Sequence, residues 1–212
     1  LFHKPSKMQV EGDFLFNQRM SIVANIQVGL KKYLPSPTTE NGIISFEKEG
    51  ERGKRVILHP TSNDPKRNWP IEKFIQLAYR LSDLGFEPIF TLSENERQKY
   101  PMIEGAHCTL LTFESLFDLA KFYAQSDYFI GNDSGPGHLA SNLGVPTVTI
   151  SGNLSHVRKW RPGWSAGKIV TPPFPLPNFK GIGLALRDNS WQRFVSVRSV
   201  LRQFRQLVQE EQ

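Results

Sequence analysis

The sequence predicts an α/β protein with a Rossmann-like parallel sheet flanked by helices. From Arg55 onward, short runs rich in β-branched and aromatic residues alternate with amphipathic segments of helical periodicity, which is typical of repeated βα units. Apolar residues make up 39% of the 212 residues, which is enough for a buried core. The stretch GNDSGPGHLASNLGVPTVTIS at 131–151 reads as a strand end, a glycine-rich turn, a helix and another strand.

Residues 1–54 are predicted to be a helix and a linker that precede a domain at 55–212. Apolar side chains recur at helical spacing over 16–34, and the polar, proline-bearing stretch PSPTTENG follows. No apolar run reaches the length needed to cross a bilayer, and the start of the chain lacks the apolar core of a signal peptide. We therefore expect a soluble protein, at most peripheral to a membrane. The leucine at position 1 indicates that an upstream portion is missing.

The first βα unit begins with the strand VILH at 56–59 and continues into a helix that starts at Pro70. Gly85 is suited to end this helix, because glycine readily adopts the left-handed conformation that follows a helix end. The strand EPIFTL, a charged turn or short helix SENERQKY and the strand CTLL come next. The apolar face predicted for the helix consists of Ile71, Phe74, Ile75, Ala78 and Leu81.

The next helix is predicted to open at Ser115, with Asp118 three residues later in a capping-box arrangement. The strand DYFIG then leads into a helix at 136–143 that ends at Gly144, and the strand PTVTIS follows. Aromatic and proline-rich loops fill most of the remaining chain before a last helix at 195–209. The apolar positions predicted for the helix after Ser115 are Leu116, Leu119, Ala120 and Tyr123.

The net charge of +6 favours anionic partners, although ordinary surface lysines explain it at least as well. The basic residues form small concentrations at 31–33, 66–67 and 157–161, which suit phosphate-bearing ligands or an anionic membrane face. No nucleic-acid partner is predicted. Cys108 is the only cysteine, which excludes an internal disulfide and fits a reducing cytoplasm, and no Cys/His spacing resembles a metal site.

Two loops are expected at the carboxyl ends of the parallel strands, where ligands of open α/β sheets bind. In the first loop, PTSNDPKRNW, Thr61 and Ser62 supply hydroxyls, and Lys66 and Arg67 supply positive charge just before a helix start. Hydroxyls, exposed N–H groups and a cation are what a diphosphate needs. A polar turn whose Asn and Asp residues cap the helix is the alternative, and the sequence leaves both open.

In the second loop, NDSGPGH, Gly135 and Gly137 would let the backbone approach an anion at the helix N-terminus. Asp133 would repel a bare phosphate, so it is expected to order the loop through backbone N–H groups or to bind a sugar hydroxyl, with a plain N-cap as the alternative. Ser134 and His138 could lie one helical turn apart, which leaves a Ser/His hydrolase open. The register of the G-x-S-x-G nucleophile elbow is not matched.

Acidic residues follow the strand EPIFTL. Glu94 and Glu96 stand where a carboxylate could bind the two hydroxyls of a ribose. A solvated helix start, where acidic residues interact favourably with the helix dipole, explains them equally well.

Three stretches agree in order and spacing with one protein family, from about Val56 to the last helix. They are HPTSNDPKRNWPIEKFIQLAYRL, SDYFIGNDSGPGHLASNLGVPTVTISG and HVRKWRP. Together they resemble the C-terminal half of the ADP-heptose:lipopolysaccharide heptosyltransferases, glycosyltransferase family 9. The resemblance implies a GT-B fold, with two Rossmann-like domains on either side of the active-site cleft. This chain would supply the C-terminal domain, which holds the nucleotide-sugar donor.

The resemblance also implies roles for individual residues. Thr61, Ser62 and Lys66 match positions that contact the donor phosphates, and Lys66 would stabilise the leaving group. Glu96, or less closely Glu94, falls near the acidic position that binds ribose. The other matches are Phe113 and Glu114 at the adenine edge, Asp133, Ser134, Gly135 and Gly137 at the diphosphate, His138 directly after them, and Trp160 and Arg161 in a loop whose role stays open.

The implied activity is transfer of heptose from ADP-heptose to a lipopolysaccharide core acceptor, with inversion at the anomeric carbon and without a cofactor or an essential metal. Nothing in 1–55 matches the N-terminal acceptor domain, which in the family carries the aspartate that acts as general base. The chain is therefore expected to be half of a cytoplasmic enzyme that meets its acceptor at the inner membrane. A non-catalytic nucleotide-sugar-binding module is the alternative. Cysteines that are frequent in the family after residue 170 are absent here.

Overall fold

A parallel sheet of six strands organises the part of the chain that this computed structural model describes, which is Phe46, 53–152, Leu154, Val157, 161–174 and 191–211. The strands are β1 (Arg55–His59), β2 (Glu87–Thr91), β3 (Thr109–Leu111), β4 (Tyr128–Asn132), β5 (Thr147–Ile150) and β6 (Gly167–Val170). Their order across the sheet is β3-β2-β1-β4-β5-β6, and every neighbouring pair is parallel.

Helices cover both faces of this sheet, as the connections between parallel strands require. The helices are α1 (Ile71–Asp83), α2 (Glu94–Arg97), α3 (Met102–Gly105), α4 (Leu116–Ala124), α5 (Gly135–Asn142) and α6 (Val197–Glu210), with 3-10 turns at Pro65–Arg67 and Trp191–Phe194. The predicted Rossmann-like fold class is confirmed.

The core lies on both sides of the sheet. Val56 and Leu58 of β1 belong to one apolar cluster, in which α1 and α6 pack together, whereas Ile57 belongs to a second cluster with Tyr123 and Phe129. All three β1 residues are fully buried. A central parallel strand is covered on both faces, which explains why β1 reads as an unbroken apolar run.

The local signals at helix ends gave correct predictions. Gly85 has a φ of +79° directly after α1, and Gly144 has a φ of +80° after α5. Ser115 caps α4, since its side chain accepts a hydrogen bond from the N–H of Asp118. Short-range chemistry therefore fixed these boundaries to within one or two residues.

The structure differs from two predictions and leaves a third untested. The loops expected after 152 contain β6, an edge strand whose residues are mostly half-buried and so lack a strong apolar pattern. Leu116 was expected on the buried face of α4 but is 70% exposed, because the cap at Ser115 turns this first position toward solvent. The predicted helix at 16–34 and most of the linker up to 54 lie outside the described residues, so that domain boundary stays a prediction.

Candidate functional site

The strand order reverses between β1 and β4, and open parallel sheets bind ligands in the crevice at such a point. The two candidate loops follow these two strands. A cleft of about 520 Å³ opens between them. Its walls are formed by His59, Ser62, Asn63, Arg67, Glu96, Asp133, Ser134, Gly135, Pro136 and His138.

Asn132, the last residue of β4, holds the first loop in place. Its side-chain carbonyl accepts the backbone N–H of Trp69 at 3.0 Å, and its side-chain amide donates to the backbone carbonyl of Pro60 at 2.6 Å. Trp69 in turn donates its indole N–H to the carbonyl of Val195 at 3.0 Å. Because Asn132 is almost completely buried, water cannot replace these bonds. Both ends of the loop are thereby attached to β4.

Inside the first loop, local capping shapes the 3-10 turn. The carboxylate of Asp64 accepts the N–H of Lys66 at 3.0 Å, and the hydroxyl of Ser62 donates to the side-chain oxygen of Asn68 at 2.6 Å. The polar capped turn, one of the two interpretations that the sequence left open, is therefore present. It does not exclude ligand binding, since Ser62 also faces the cleft.

The two basic residues of this turn differ in position. Arg67 lines the cleft, and its guanidinium donates to the carboxylate of Asp133 at 2.7 Å. The Asp133 side chain is 9% exposed and that of Arg67 is 47% exposed, so a nearly buried carboxylate is balanced by a cation that still reaches solvent. Lys66 is exposed and is not among the cleft residues. Asp133 therefore connects the second loop to the first through Arg67.

The start of α5 forms the wall of the cleft on the side of the second loop. Ser134 is the N-cap residue, but its hydroxyl makes no cap bond; it is buried and has no partner among the residues that the structure describes. A methyl group added at Gly135 would meet no atom within 4 Å, so this glycine borders open space. One at Gly137 would lie 3.3 Å from Phe129 and Pro162, so this glycine lets the helix pack closely. An anion fits the helix start at Ser134 and Gly135.

Glu96 forms another wall of the cleft, from the first turn of α2. Its carboxylate accepts the backbone N–H of Ser93 at 2.9 Å and the hydroxyl of Ser93 at 2.7 Å, as in a capping box. Burial raises the pKa of the Glu96 carboxyl, but the hydrogen bonds from Ser93 outweigh burial and hold the pKa below its ordinary value. The cleft therefore contains a carboxylate that can accept hydrogen bonds from ligand hydroxyls.

His59, at the end of β1, is buried next to Thr61. Its Nδ1 lies 2.8 Å from the carbonyl oxygen of Thr91, and its Nε2 lies 3.0 Å from the hydroxyl of Thr61. Since a carbonyl only accepts, Nδ1 carries the proton and Nε2 accepts from Thr61. Burial lowers the pKa of His59, so the imidazole is neutral near pH 7. The Thr61 hydroxyl is engaged within the protein.

The structure brings most of the predicted site residues to one cleft. Those that line it are Ser62, Glu96, Asp133, Ser134, Gly135 and His138. Four others do not: Thr61 is buried against His59, Lys66 and Glu114 are exposed elsewhere, and Gly137 packs against Phe129. Arg161 donates to the carbonyls of Pro162 and Gly167. Trp160 lies outside the described residues, so its expected place in the same loop stays a prediction.

Sequence reasoning did not single out His59 and Asn132. Each is the final residue of a strand that ends at the point of reversed order, β1 for His59 and β4 for Asn132. A polar residue at the carboxyl end of an otherwise apolar strand was the available signal.

The Ser/His hydrolase interpretation loses its geometric support. A serine nucleophile needs a base within hydrogen-bonding distance. The Ser134 hydroxyl forms no hydrogen bond with His138 or with any other residue in the described ranges. Within those ranges the structure also contains neither a group of three or more His, Cys, Asp or Glu that could hold a metal ion nor a helix long and apolar enough to span a membrane.

Comparisons with known proteins agree with one another. Residues 19–172 match the family model of glycosyltransferase family 9 (heptosyltransferase). The chain is 27% identical over 127 residues to lipopolysaccharide heptosyltransferase 3 of Escherichia coli strain K12, covering 57% of this chain and 36% of that protein. It spans about a third of the length of the curated relatives that it matches.

Solved structures share the fold. The glycosyltransferase family 9 protein from Veillonella parvula superposes with a TM-score of 0.66 at 18% identity, covering 89% of this chain and 60% of that one. The E. coli heptosyltransferase WaaC with ADP superposes with a TM-score of 0.58 at 16% identity, covering 95% of this chain and 51% of that one.

Proposed function

Because this chain belongs to glycosyltransferase family 9, we propose that it is the donor-binding half of a heptosyltransferase. The reaction would move heptose from ADP-heptose to a lipopolysaccharide core acceptor, with inversion at the anomeric carbon. The domain at 55–212 would hold the nucleotide sugar. The general base and the acceptor-binding domain would lie outside these 212 residues.

The observation that carries this proposal is the buried hydroxyl of Ser134 at the start of α5, which has no hydrogen-bond partner in the part of the chain that the structure describes. A buried hydroxyl without a partner is costly unless a ligand satisfies it. Gly135 leaves open space beside it, and the guanidinium of Arg67 is held nearby by Asp133. A hydroxyl, a helix N-terminus and a cation together suit a diphosphate.

The same groups would assist the chemistry. Negative charge builds on the ADP diphosphate as the glycosidic bond breaks, and fixed dipoles and cations that stabilise this charge lower the barrier. Lys66 is carried over from the family resemblance as the leaving-group cation, and Arg67 is a second candidate because it lines the cleft. With these cations supplied by the protein, the reaction would need neither an essential metal nor a cofactor. Ser62 would add a hydroxyl, whereas the backbone N–H of Gly137 already donates to the carbonyl of Ser134 at 3.2 Å.

The nucleoside would lie along the wall that contains Glu96. This carboxylate, held ionised by Ser93, suits the two hydroxyls of a ribose. The adenine edge would meet Phe113 and Glu114, and Phe113 is braced by Phe122 at a ring separation of 5.2 Å. His138 would contact the donor from the first turn of α5.

Contact with the cytoplasmic face of the inner membrane would bring the enzyme to its lipid-linked acceptor. A groove of about 1040 Å³ between α1 and α6, here called the arginine groove, supports this location. Its basic residues are Arg80, Arg198, Arg202 and Arg205. Phe194, 38% exposed, lies just before α6, and its ring is 5.2 Å from that of Phe174, which is 49% exposed. Basic and exposed aromatic side chains together favour an anionic bilayer surface.

A non-catalytic nucleotide-sugar-binding module remains the second candidate. The same cleft serves either function, because binding needs the diphosphate cradle and catalysis also needs a base. Transfer activity of the chain joined to an acceptor domain would separate the two.

Calorimetric titration of the chain with ADP, UDP and GDP tests the donor site. We expect selective ADP binding. Arg67→Ala should weaken it about tenfold and Ser134→Ala by about threefold to tenfold, because each removes a hydrogen bond to a charged group. Lys66→Ala in a complete enzyme should reduce turnover more than donor binding.

Arg80→Ala is the matched control, since Arg80 is an exposed arginine whose carboxylate partner, Asp83, is also exposed. Equal losses of ADP affinity in Arg67→Ala and Arg80→Ala would mean that Arg67 acts through the general positive charge of the protein and not through a direct contact with ADP. A folded chain that binds no nucleotide would remove the support for the donor site.

A further inference from the structure

The 3-10 turn of the first loop, Pro65–Arg67, is held beside the cleft by hydrogen bonds rather than by packing. Asn132 attaches the two ends of the loop, but the turn between them has no buried residue. Burial of apolar surface therefore contributes little to its position. One attachment of the turn is the bond from the guanidinium of Arg67 to the carboxylate of Asp133. A second attachment acts on the backbone of Lys66.

This second attachment joins the turn to the segment 191–195, which lies directly before the cap of α6. The side-chain amide of Gln192 donates to the backbone carbonyl of Lys66 at 2.7 Å, across 126 positions in the chain. The indole N–H of Trp191 lies 3.4 Å from the same oxygen. Since the backbone N–H of Lys66 donates to Asp64, both polar backbone groups of Lys66 are engaged while its side chain stays exposed.

The segment 191–195 is itself firmly attached to the domain. The Trp191 side chain is buried, and a methyl group added at Gly152, two residues after β5, would lie 2.5 Å from its ring. Lys73 of α1 donates its ammonium to the backbone carbonyl of Gln192 at 2.7 Å. Gln192 therefore presents its amide to the turn from a backbone that is fixed on both sides.

Building on the proposed function, we propose that Gln192 is a positioning residue of the donor site. A cation recognises a diphosphate well only at the right distance and angle, so the place of the turn matters for both of its cations. Gln192 and Asp133 hold the turn at two points, one at the Lys66 carbonyl and the other at the Arg67 guanidinium. Because Gln192 is not among the residues that line the cleft, it acts on the donor through the turn.

Calorimetric titration of the 212-residue chain with ADP and with adenosine tests this role, because adenosine has no phosphate. Gln192→Met keeps the length of the side chain and removes the donor. We expect its ADP affinity to fall by about threefold to tenfold, since the loss is limited to that of the hydrogen bond that held the turn. Its adenosine affinity should equal that of the wild type. Chemical denaturation should show little change, because water can replace the amide at this exposed turn.

Two further variants separate the reach of the amide from a general effect of the substitution. Gln192→Asn keeps an amide but is one methylene too short for the Lys66 carbonyl, so it should resemble Gln192→Met. Gln203→Met is the matched control, because Gln203 is half-buried on α6 and lines neither the cleft nor the arginine groove. It should leave both affinities unchanged.

A double-mutant cycle with Arg67 tests whether Gln192 acts through the turn. In the Arg67→Ala background the cation that the turn presents to the cleft is gone, so Gln192→Met should lower ADP affinity by a smaller factor than in the wild type. The same factor in both backgrounds, an unchanged ADP affinity in Gln192→Met, or an equal loss of ADP and adenosine affinity would overturn the positioning role and leave the donor site standing. Absence of ADP binding in the wild type would instead overturn the donor site, and the role of Gln192 with it.

Discussion

The cleft and the arginine groove both contain arginine side chains, but they hold them in different ways. In the cleft, Arg67 is fixed by the nearly buried carboxylate of Asp133, and the loop that carries it is attached to Asn132 by buried hydrogen bonds. In the arginine groove, Arg198, Arg202 and Arg205 are exposed, and none forms an ion pair with a residue within the described part of the chain.

This difference indicates two kinds of anionic partner. A cation and a hydroxyl held in one geometry recognise a small group with defined atoms, such as a diphosphate. Arginines on long, free side chains at positions i, i+4 and i+7 of α6 form a stripe of charge that follows an extended surface. Substitutions in the two regions should therefore affect different measurements.

The largest effect is expected from Asn132→Ala. It would leave the N–H of Trp69 and the carbonyl of Pro60 without partners in a buried position, so we expect a loss of about 2–5 kcal/mol in the free energy of unfolding. Chemical denaturation measures this loss. ADP affinity should fall as well, because the loop with Arg67 loses its attachment.

Asn68→Ala is the matched control for this prediction. Asn68 belongs to the same loop, but within the described ranges its side chain accepts only the hydroxyl of Ser62, so the cost should stay near about 1 kcal/mol. If both variants unfold at the same denaturant concentration, Asn132 is not the residue that fixes the loop.

The next effect concerns the arginine groove. Replacing Arg198, Arg202 and Arg205 together by Gln should weaken binding to vesicles of anionic phospholipid by about a hundredfold, since each basic residue near such a surface contributes about 1 kcal/mol. ADP affinity and unfolding should change little, because the buried face of α6 (Val200, Phe204 and Leu207) is untouched. Sedimentation with anionic and with neutral vesicles measures the difference.

Two results would break the distinction between the regions. Unchanged binding of the triple variant to anionic vesicles would mean that the arginine groove does not contact the bilayer. A loss of ADP affinity as large as that of Arg67→Ala would mean that its charge acts on the cleft.

Some of this architecture could be read from the sequence, because its causes are local. The glycines that end α1 and α5 and the serine that caps α4 act within a few residues of their own position. The pair between Arg67 and Asp133 joins residues 66 positions apart and exists only because β1 and β4 are neighbours in the sheet. Strand order is not encoded in any short pattern, so neither this pair nor the Asn132 attachment could be predicted.

The resemblance treated Gly135 and Gly137 alike, and the smallest predicted effects distinguish them. Gly135→Ala introduces a methyl group into open space beside the expected phosphate position, so ADP affinity should fall while stability stays the same or rises by up to about 1 kcal/mol. Gly137→Ala directs its methyl group at Phe129 and Pro162, so stability should fall by about 1 kcal/mol with ADP affinity nearly unchanged.

Measuring unfolding and ADP affinity for both glycine variants makes each the control of the other. The expected result is a crossed pattern, with one variant deficient in binding and the other in stability. A Gly137 variant of normal stability that no longer binds ADP would show that this backbone contacts the diphosphate, as the family resemblance implies. In that case the cleft would extend one residue further into α5, and the close packing on Phe129 would be secondary.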